Sequence, residues 1–259
     1  MAETGLRGPD TTTEDGFLGG RLRLRQYATG HRAGHDAILL AASTRAKAGD
    51  RVVEFGAGVG AAGLALARRV AGIDLVMVEI AASLAELASD NAAANAIAAR
   101  TVVLDVAGSA EAFAAAGLPP DSADAVLMNP PFHDAVRHRG SPDPVRQAAH
   151  LATATTLEAW VHAARRLLKS GGTLTMIWRA DGLAEVLSVL GRGFGSVMVQ
   201  PVHGNADKSA IRILVRATKG GRAPLLLLPS LLLNGPSEQP DPVARAVLAG
   251  EQILPLAQS

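Results

Sequence analysis

The stretch that most constrains this chain is residues 52–70. The apolar run Val52–Phe55, interrupted by Glu54, leads into Gly56-Ala57-Gly58-Val59-Gly60 and then into an alanine-rich segment. A short apolar run bounded by glycines suits a strand buried on both faces, and the segment 61–70 suits a helix packed on it. The alternation continues with strands at Asp74–Glu79, Thr101–Leu104, Ala123–Met128 and Thr173–Trp178, and helices at 82–95, 109–116, 145–168 and 181–190. Parallel strands need crossovers, so the pattern predicts a parallel sheet with helices on both faces. Val197–Val202 and Ile211–Ala217 then follow one another with no helix between, which predicts an antiparallel pair. The expected fold class is therefore α/β, a mostly parallel seven-stranded sheet with an antiparallel last strand. Upstream, Phe17–Tyr27 alternates Leu22 and Leu24 with Arg21, Arg23 and Arg25, as a strand or hairpin with one wet face does, and 31–43 is helical in character. The expected organisation is a flexible segment 1–15, one domain over 16–222, and a tail 223–259 packed on that domain or extending it.

Composition removes several function classes. The 259 residues include no cysteine, which excludes a disulfide scaffold, a thiol nucleophile, a zinc ribbon and an iron–sulfur site. No apolar run reaches the roughly 18 residues of a membrane helix. The N-terminal residues lack the apolar core of a signal peptide, so a cytoplasmic location is expected. The seven histidines are scattered without metal-ligand spacing, and no metal site is expected. The net charge of +1 hides an asymmetry: residues 51–130 carry 4 basic and 9 acidic side chains, whereas 131–222 carry 13 basic and 6 acidic. The second half could face a polyanion.

The glycine loop allows close approach of a ligand to backbone at a helix start. Glu79 ends the second strand, where a carboxylate can accept hydrogen bonds from both ribose hydroxyls, so the expected ligand contains an adenosine-like nucleoside. Gly56-x-Gly58-x-x-Ala61 also matches the dinucleotide fingerprint, but Glu54 beside it is a poor neighbour for pyrophosphate and suits an ammonium group. The order Glu54-x-Gly56-x-Gly58-x-Gly60 resembles motif I of the class I methyltransferases, whose methyl donor is S-adenosylmethionine and whose product is S-adenosylhomocysteine. That resemblance implies a Rossmann-like fold and an adenine contact from Asp105, just past the third strand.

Asn129-Pro130-Pro131-Phe132 follows the fourth strand directly. An exocyclic amine or an amide nitrogen is a poor nucleophile because its lone pair is delocalised. Accepting its two hydrogens at the Asn129 side-chain oxygen and the Pro130 carbonyl pushes it toward a reactive, pyramidal form, and the prolines fix those oxygens in place. Phe132 offers a ring for stacking a planar base. Asn129, Pro130 and Phe132 are thus the expected catalytic residues. Phe132, His133, Arg137, Arg139 and Lys208 are the expected substrate contacts, with Arg146, Arg212 and Lys219 as further candidates for phosphate. The segments FLGGRL, GHRAGHDAILLAA, EFGAGVG, NPPFH and PLLLLPSLLLN together resemble the bacterial tRNA1(Val) adenine-37 N6-methyltransferases. The resemblance implies methylation of an RNA adenine, with tRNA as the partner. It adds Asp36 to the cofactor-binding set of Glu54, Gly56, Gly58, Glu79, Asp105 and Asn129. Alternatives are methylation of an rRNA guanine, a protein glutamine or a small molecule, or a non-catalytic RNA-binding protein on the same fold.

Overall fold

The computed structural model describes residues 11–29, 32–131, 143–235 and 239–258, with backbone alone for 143–154. The chain opens with a hairpin, β1 (Thr12–Phe17) and β2 (Leu22–Tyr27), paired antiparallel from Thr12 opposite Tyr27 to Phe17 opposite Leu22. A 3-10 turn at Leu18–Gly20 joins them, with Leu18, Gly19 and Gly20 all at positive φ. Leu22 and Leu24 are buried while Arg23 and Arg25 are exposed, as the alternation required. The first strand begins at Thr12, inside the segment expected to be flexible.

Helix α1 (His35–Ser43) precedes the alternating units: β3 (Arg51–Phe55), α2 (Ala61–Arg69), β4 (Asp74–Glu79), α3 (Ala82–Ala94), β5 (Ala99–Val103), α4 (Ala110–Ala115) and β6 (Ala123–Met128). Next come α5 (Asp143–Leu167), β7 (Leu168–Arg179), α6 (Leu183–Leu190), β8 (Phe194–His203) and β9 (Ala210–Lys219). The seven principal strands lie in the order β5-β4-β3-β6-β7-β9-β8, with β9 antiparallel to both β7 and β8 and the rest parallel.

Residues past 222 extend the sheet beyond the expected seven strands. Two short strands, β10 (Leu226–Leu227) and β11 (Leu231–Leu232), run parallel along the outer edge of β8, giving a nine-stranded sheet. Two helices follow, α7 (Pro242–Leu248) and α8 (Pro255–Gln258). Asp241 caps α7 by accepting from the N–H groups of Val243 and Ala244, with Pro242 in the first turn, where its missing N–H costs nothing.

Alternate residues of each strand enter two cores. Val52, Leu75, Met77, Ala125 and Leu127 meet the hairpin, α1, α2, α3 and the tail helices on one face. Val53, Phe55, Val76, Val78, Val126 and Met128 meet α4, α5 and α6 on the other. Burial on both faces explains why these strands read as continuous apolar runs. Most of the scarce aromatic residues gather in the second core: the Phe55 ring meets Phe113 edge-on at 5.9 Å and Trp160 at 6.4 Å. The strand order reverses between β4-β3 and β3-β6. The crevice over their C-terminal ends is where an open α/β sheet accepts a ligand.

Candidate active site

The glycine loop crosses this crevice. Gly56, Gly58 and Gly60 have φ of +64°, +56° and +84°, the left-handed region that side chains resist. A Cβ on Gly56 would lie 2.4 Å from the Trp160 ring, and one on Gly60 would lie 2.8 Å from the Met77 sulfur. A Cβ on Gly58 would meet nothing within 4 Å, so the loop is open there.

Two acids brace the loop. Glu79, at the end of β4, accepts the Gly58 N–H on Oε2 at 2.8 Å and the Ala81 N–H on Oε1 at 2.9 Å. Each carboxylate oxygen retains acceptor capacity. Glu54, in β3, is 4% exposed and accepts the Gly63 N–H at 2.9 Å, tying the first turn of α2 to the sheet. A Cβ on Gly63 would come within 2.5 Å of Glu54 Oε2, so only glycine permits this approach. Burial pushes the Glu54 carboxyl up to about 8, against the lowering effect of the Gly63 and Ala62 N–H groups, and the Glu79 charge adds to the rise. The task that the structure shows for Glu54 is the anchoring of α2.

Asn129 follows β6, beside β3. Its Oδ1 atom is buried and has no hydrogen-bond partner among the described residues, and Pro130 next to it is buried. Asp105, one strand beyond β4, is exposed and accepts the Ala107 N–H at 2.8 Å, while Ser109 caps α4. The sheet thus gathers Glu54, Gly56, Gly58, Glu79 and Asn129 over neighbouring strands β4, β3 and β6, with Asp105 alongside on the β5 side.

Other candidates lie on elements outside β3, β4 and β6. Asp36, in the first turn of α1, accepts from Arg212 Nε of β9 at 2.9 Å, so these two candidates engage each other. Lys208, on the β8–β9 connection, is exposed, with Asp207 at 3.5 Å. Three strand spacings separate β8 from β6, about 14 Å across the sheet. Lys219 has to be removed from the phosphate candidates. Because β9 runs antiparallel, its last residue lies at the opposite end of the sheet, where Lys219 Nζ meets Asp121 and the Leu168 carbonyl, each at 2.7 Å. Phe132, His133, Arg137 and Arg139 lie outside the described residues, as does the Arg146 side chain.

Sequence reasoning missed Ile80. It is 65% exposed immediately after Glu79, and Val103, 57% exposed, ends the adjacent strand. These apolar surfaces flank the acceptors expected for a ribose. An apolar residue just past a strand-terminal acid was the available signal. No group of three or more His, Asp or Glu side chains that could hold a metal occurs among the described residues, and no described helix is long and apolar enough to cross a membrane.

The sheet order, the glycine loop at its switch point and the acid at the end of β4 define a Rossmann-like methyltransferase dependent on S-adenosylmethionine. Residues 33–203 match the methyltransferase small domain family, and the chain belongs to that family. A predicted O-methyltransferase from Agrobacterium tumefaciens, known from its crystal structure, is 30% identical with a TM-score of 0.71, over 85% of this chain and 98% of that one. The release factor glutamine methyltransferase of Chlorobaculum tepidum is 28% identical over 164 residues, 61% of this chain. The chain spans only 55% of that protein's length. The T. thermophilus 16S rRNA N2 G1207 methyltransferase, solved with AdoMet and guanosine, shares the fold at 20% identity and a TM-score of 0.56, over 83% of this chain and 52% of that one.

Proposed function

We propose that this enzyme methylates an exocyclic nitrogen of a nucleobase in RNA, and that the target is N6 of an adenine in tRNA. The observation that carries the reading is the buried, unpartnered Oδ1 of Asn129 at the C-terminal end of β6, beside the glycine loop. A buried acceptor left open costs about 1–3 kcal/mol, and a substrate N–H would complete it. Asn129 Oδ1 accepts one amine hydrogen and the Pro130 carbonyl the other, so the nitrogen lone pair is withdrawn from the ring and directed outward. S-adenosylmethionine, when bound, supplies an electrophilic methyl group on sulfur. Glu79 holds the ribose hydroxyls with its remaining acceptor positions, and Ile80 covers a face of the adenine moiety. Glu54 and Asp36 serve the amino-acid end of the cofactor, and Asp105 its adenine amine. Phe132 stacks the target base, His133 contacts the substrate beside it, and Arg137, Arg139 and Lys208 meet phosphates. The similarity to N6-adenine methyltransferases in the segments around Asp36, Glu54 and Asn129 supports adenine as the base.

A protein glutamine is the second reading, favoured by the similarity to a release factor glutamine methyltransferase. An amide nitrogen needs the same two acceptors. Incubation with labelled S-adenosylmethionine and either total RNA or total protein, with ribonuclease and protease controls, tests both. The expected result is label lost on ribonuclease treatment and recovered as N6-methyladenosine by nucleoside mass spectrometry. Label that resists ribonuclease and is released by protease would overturn it.

A further inference from the structure

The glycine loop is also held from behind. Asn91, on α3, is 1% exposed and spends its whole amide on backbone. Its Oδ1 accepts the Arg25 N–H at 2.8 Å, and its Nδ2 donates to the Arg25 carbonyl and to the Val59 carbonyl, each at 3.0 Å. One turn later, Asn95 repeats the first half of this pattern: Oδ1 accepts the Arg23 N–H at 3.0 Å and Nδ2 donates to the Arg23 carbonyl at 2.6 Å. Residues four apart on a helix are about 6 Å apart, and alternate residues of a strand nearly 7 Å. The two amides therefore match two successive hydrogen-bonding positions on the free edge of β2 and stand in for a missing strand. The amides differ in one respect. Asn91 reaches onward to the glycine loop, while the second Nδ2 bond of Asn95 goes back to the Asn91 carbonyl at 2.8 Å.

Val59 sits between Gly58, whose N–H is fixed by Glu79, and Gly60, which starts α2 in the left-handed region. Its carbonyl precedes the helix and has no place in the helical ladder, so it needs an outside donor. The other end of the same peptide is held inside the loop, where the Gly60 N–H donates to the Ala57 carbonyl at 2.8 Å, so the Asn91 bond is what ties this peptide to α3. We propose that Asn91 is a positioning residue for the cofactor: it ties the Val59 carbonyl to α3, so that the loop in which Glu79 fixes the Gly58 N–H keeps its shape, and it couples the loop to the N-terminal hairpin.

Asn95 supplies the control, since it anchors the same strand without touching the loop. S-adenosylhomocysteine affinity is measured by calorimetry, and exchange of the Gly58 amide hydrogen by NMR, in the full chain. Asn91→Ala should weaken affinity at least tenfold and speed Gly58 exchange. Asn91→Asp keeps the acceptor for Arg25 but turns a carboxylate oxygen toward the Arg25 and Val59 carbonyls, so it should lose at least as much affinity as the alanine variant. Asn91→Ser, with a small uncharged side chain too short to bridge Arg25 and Val59, should match alanine and decides the matter if that variant does not fold. Asn95→Ala should lower the melting temperature yet leave affinity within twofold and Gly58 exchange unchanged. Affinity within twofold of wild type in the folded Asn91 variants, or an equal loss in Asn95→Ala, would overturn the proposal.

Discussion

A polar atom buried without a partner is tolerated where something else repays it, and Asn129 Oδ1 is such an atom at the mouth of the crevice. On the proposed role of accepting the incoming amine, Asn129→Ala should leave S-adenosylhomocysteine affinity within a few fold while methyl transfer falls more than tenfold. Parallel calorimetry and label incorporation check this. Glu54 makes a different prediction. Its carboxyl is raised from 4.5 to about 8 in the fold, so the folded chain binds a proton the unfolded chain has already released. The stability this gives is complete below about 4.5 and is lost as pH climbs toward 8, by at most about 4–5 kcal/mol at roughly 1.4 kcal/mol per pKa step. Glu54→Gln keeps an oxygen for the Gly63 N–H and cannot ionise. Its melting temperature should therefore decline less than that of wild type between pH 5 and 8 in thermal scans.

At the scale of elements, the loop and α5 are fitted to each other. Gly56→Ala would drive a methyl into Trp160, at a backbone angle that already disfavours alanine. A loss of about 2–4 kcal/mol is expected by denaturant titration, combining overpacking with left-handed strain. Much of this architecture was legible beforehand. Strands buried on both faces announce themselves as apolar runs, and Glu54, the glycines, Glu79 and Asn129 fall at strand ends that the alternation locates. The short strands β10 and β11 were not legible. Pro224 and Pro229 bracket a leucine run of no clear period, and its ladder is imposed by the exposed edge of β8. Asn91 was equally hidden. An asparagine in a helix ordinarily faces water, and its partners here come from β2 and the glycine loop. The Asp36–Arg212 pair joins residues 176 positions apart, which no local pattern reveals.

For the whole molecule, the charge asymmetry has to be reweighed on the fold. Arg212 is engaged by Asp36, and Lys219 is at the wrong end of the sheet. That leaves Arg137, Arg139, Arg146 and Lys208 as the cations proposed for RNA phosphates. With three or four contacts to a single-stranded segment, log affinity for substrate RNA should fall against log salt with a slope of about −2 to −3. Filter binding across a salt series measures it. Reversing the charge of Arg137 and Arg139 together should weaken binding and flatten the slope.

The tail carries a consequence for how the chain comes into being. Arg216 of β9 reaches the Leu256 carbonyl, Leu254 donates its N–H to the Ala42 carbonyl at 3.0 Å, and Leu231 is buried against the sheet. During synthesis these residues leave the ribosome after all seven principal strands. Until they do, β8 has an unpaired edge and α1 lacks the side chains that close over it. The growing chain therefore passes through a stage with its sheet assembled but unsealed, when an exposed strand edge can capture a neighbouring nascent chain. β10 and β11 end the exposure of that edge, and Leu254 and Leu256 then tie the segment that follows them to α1 and β9, elements made long before.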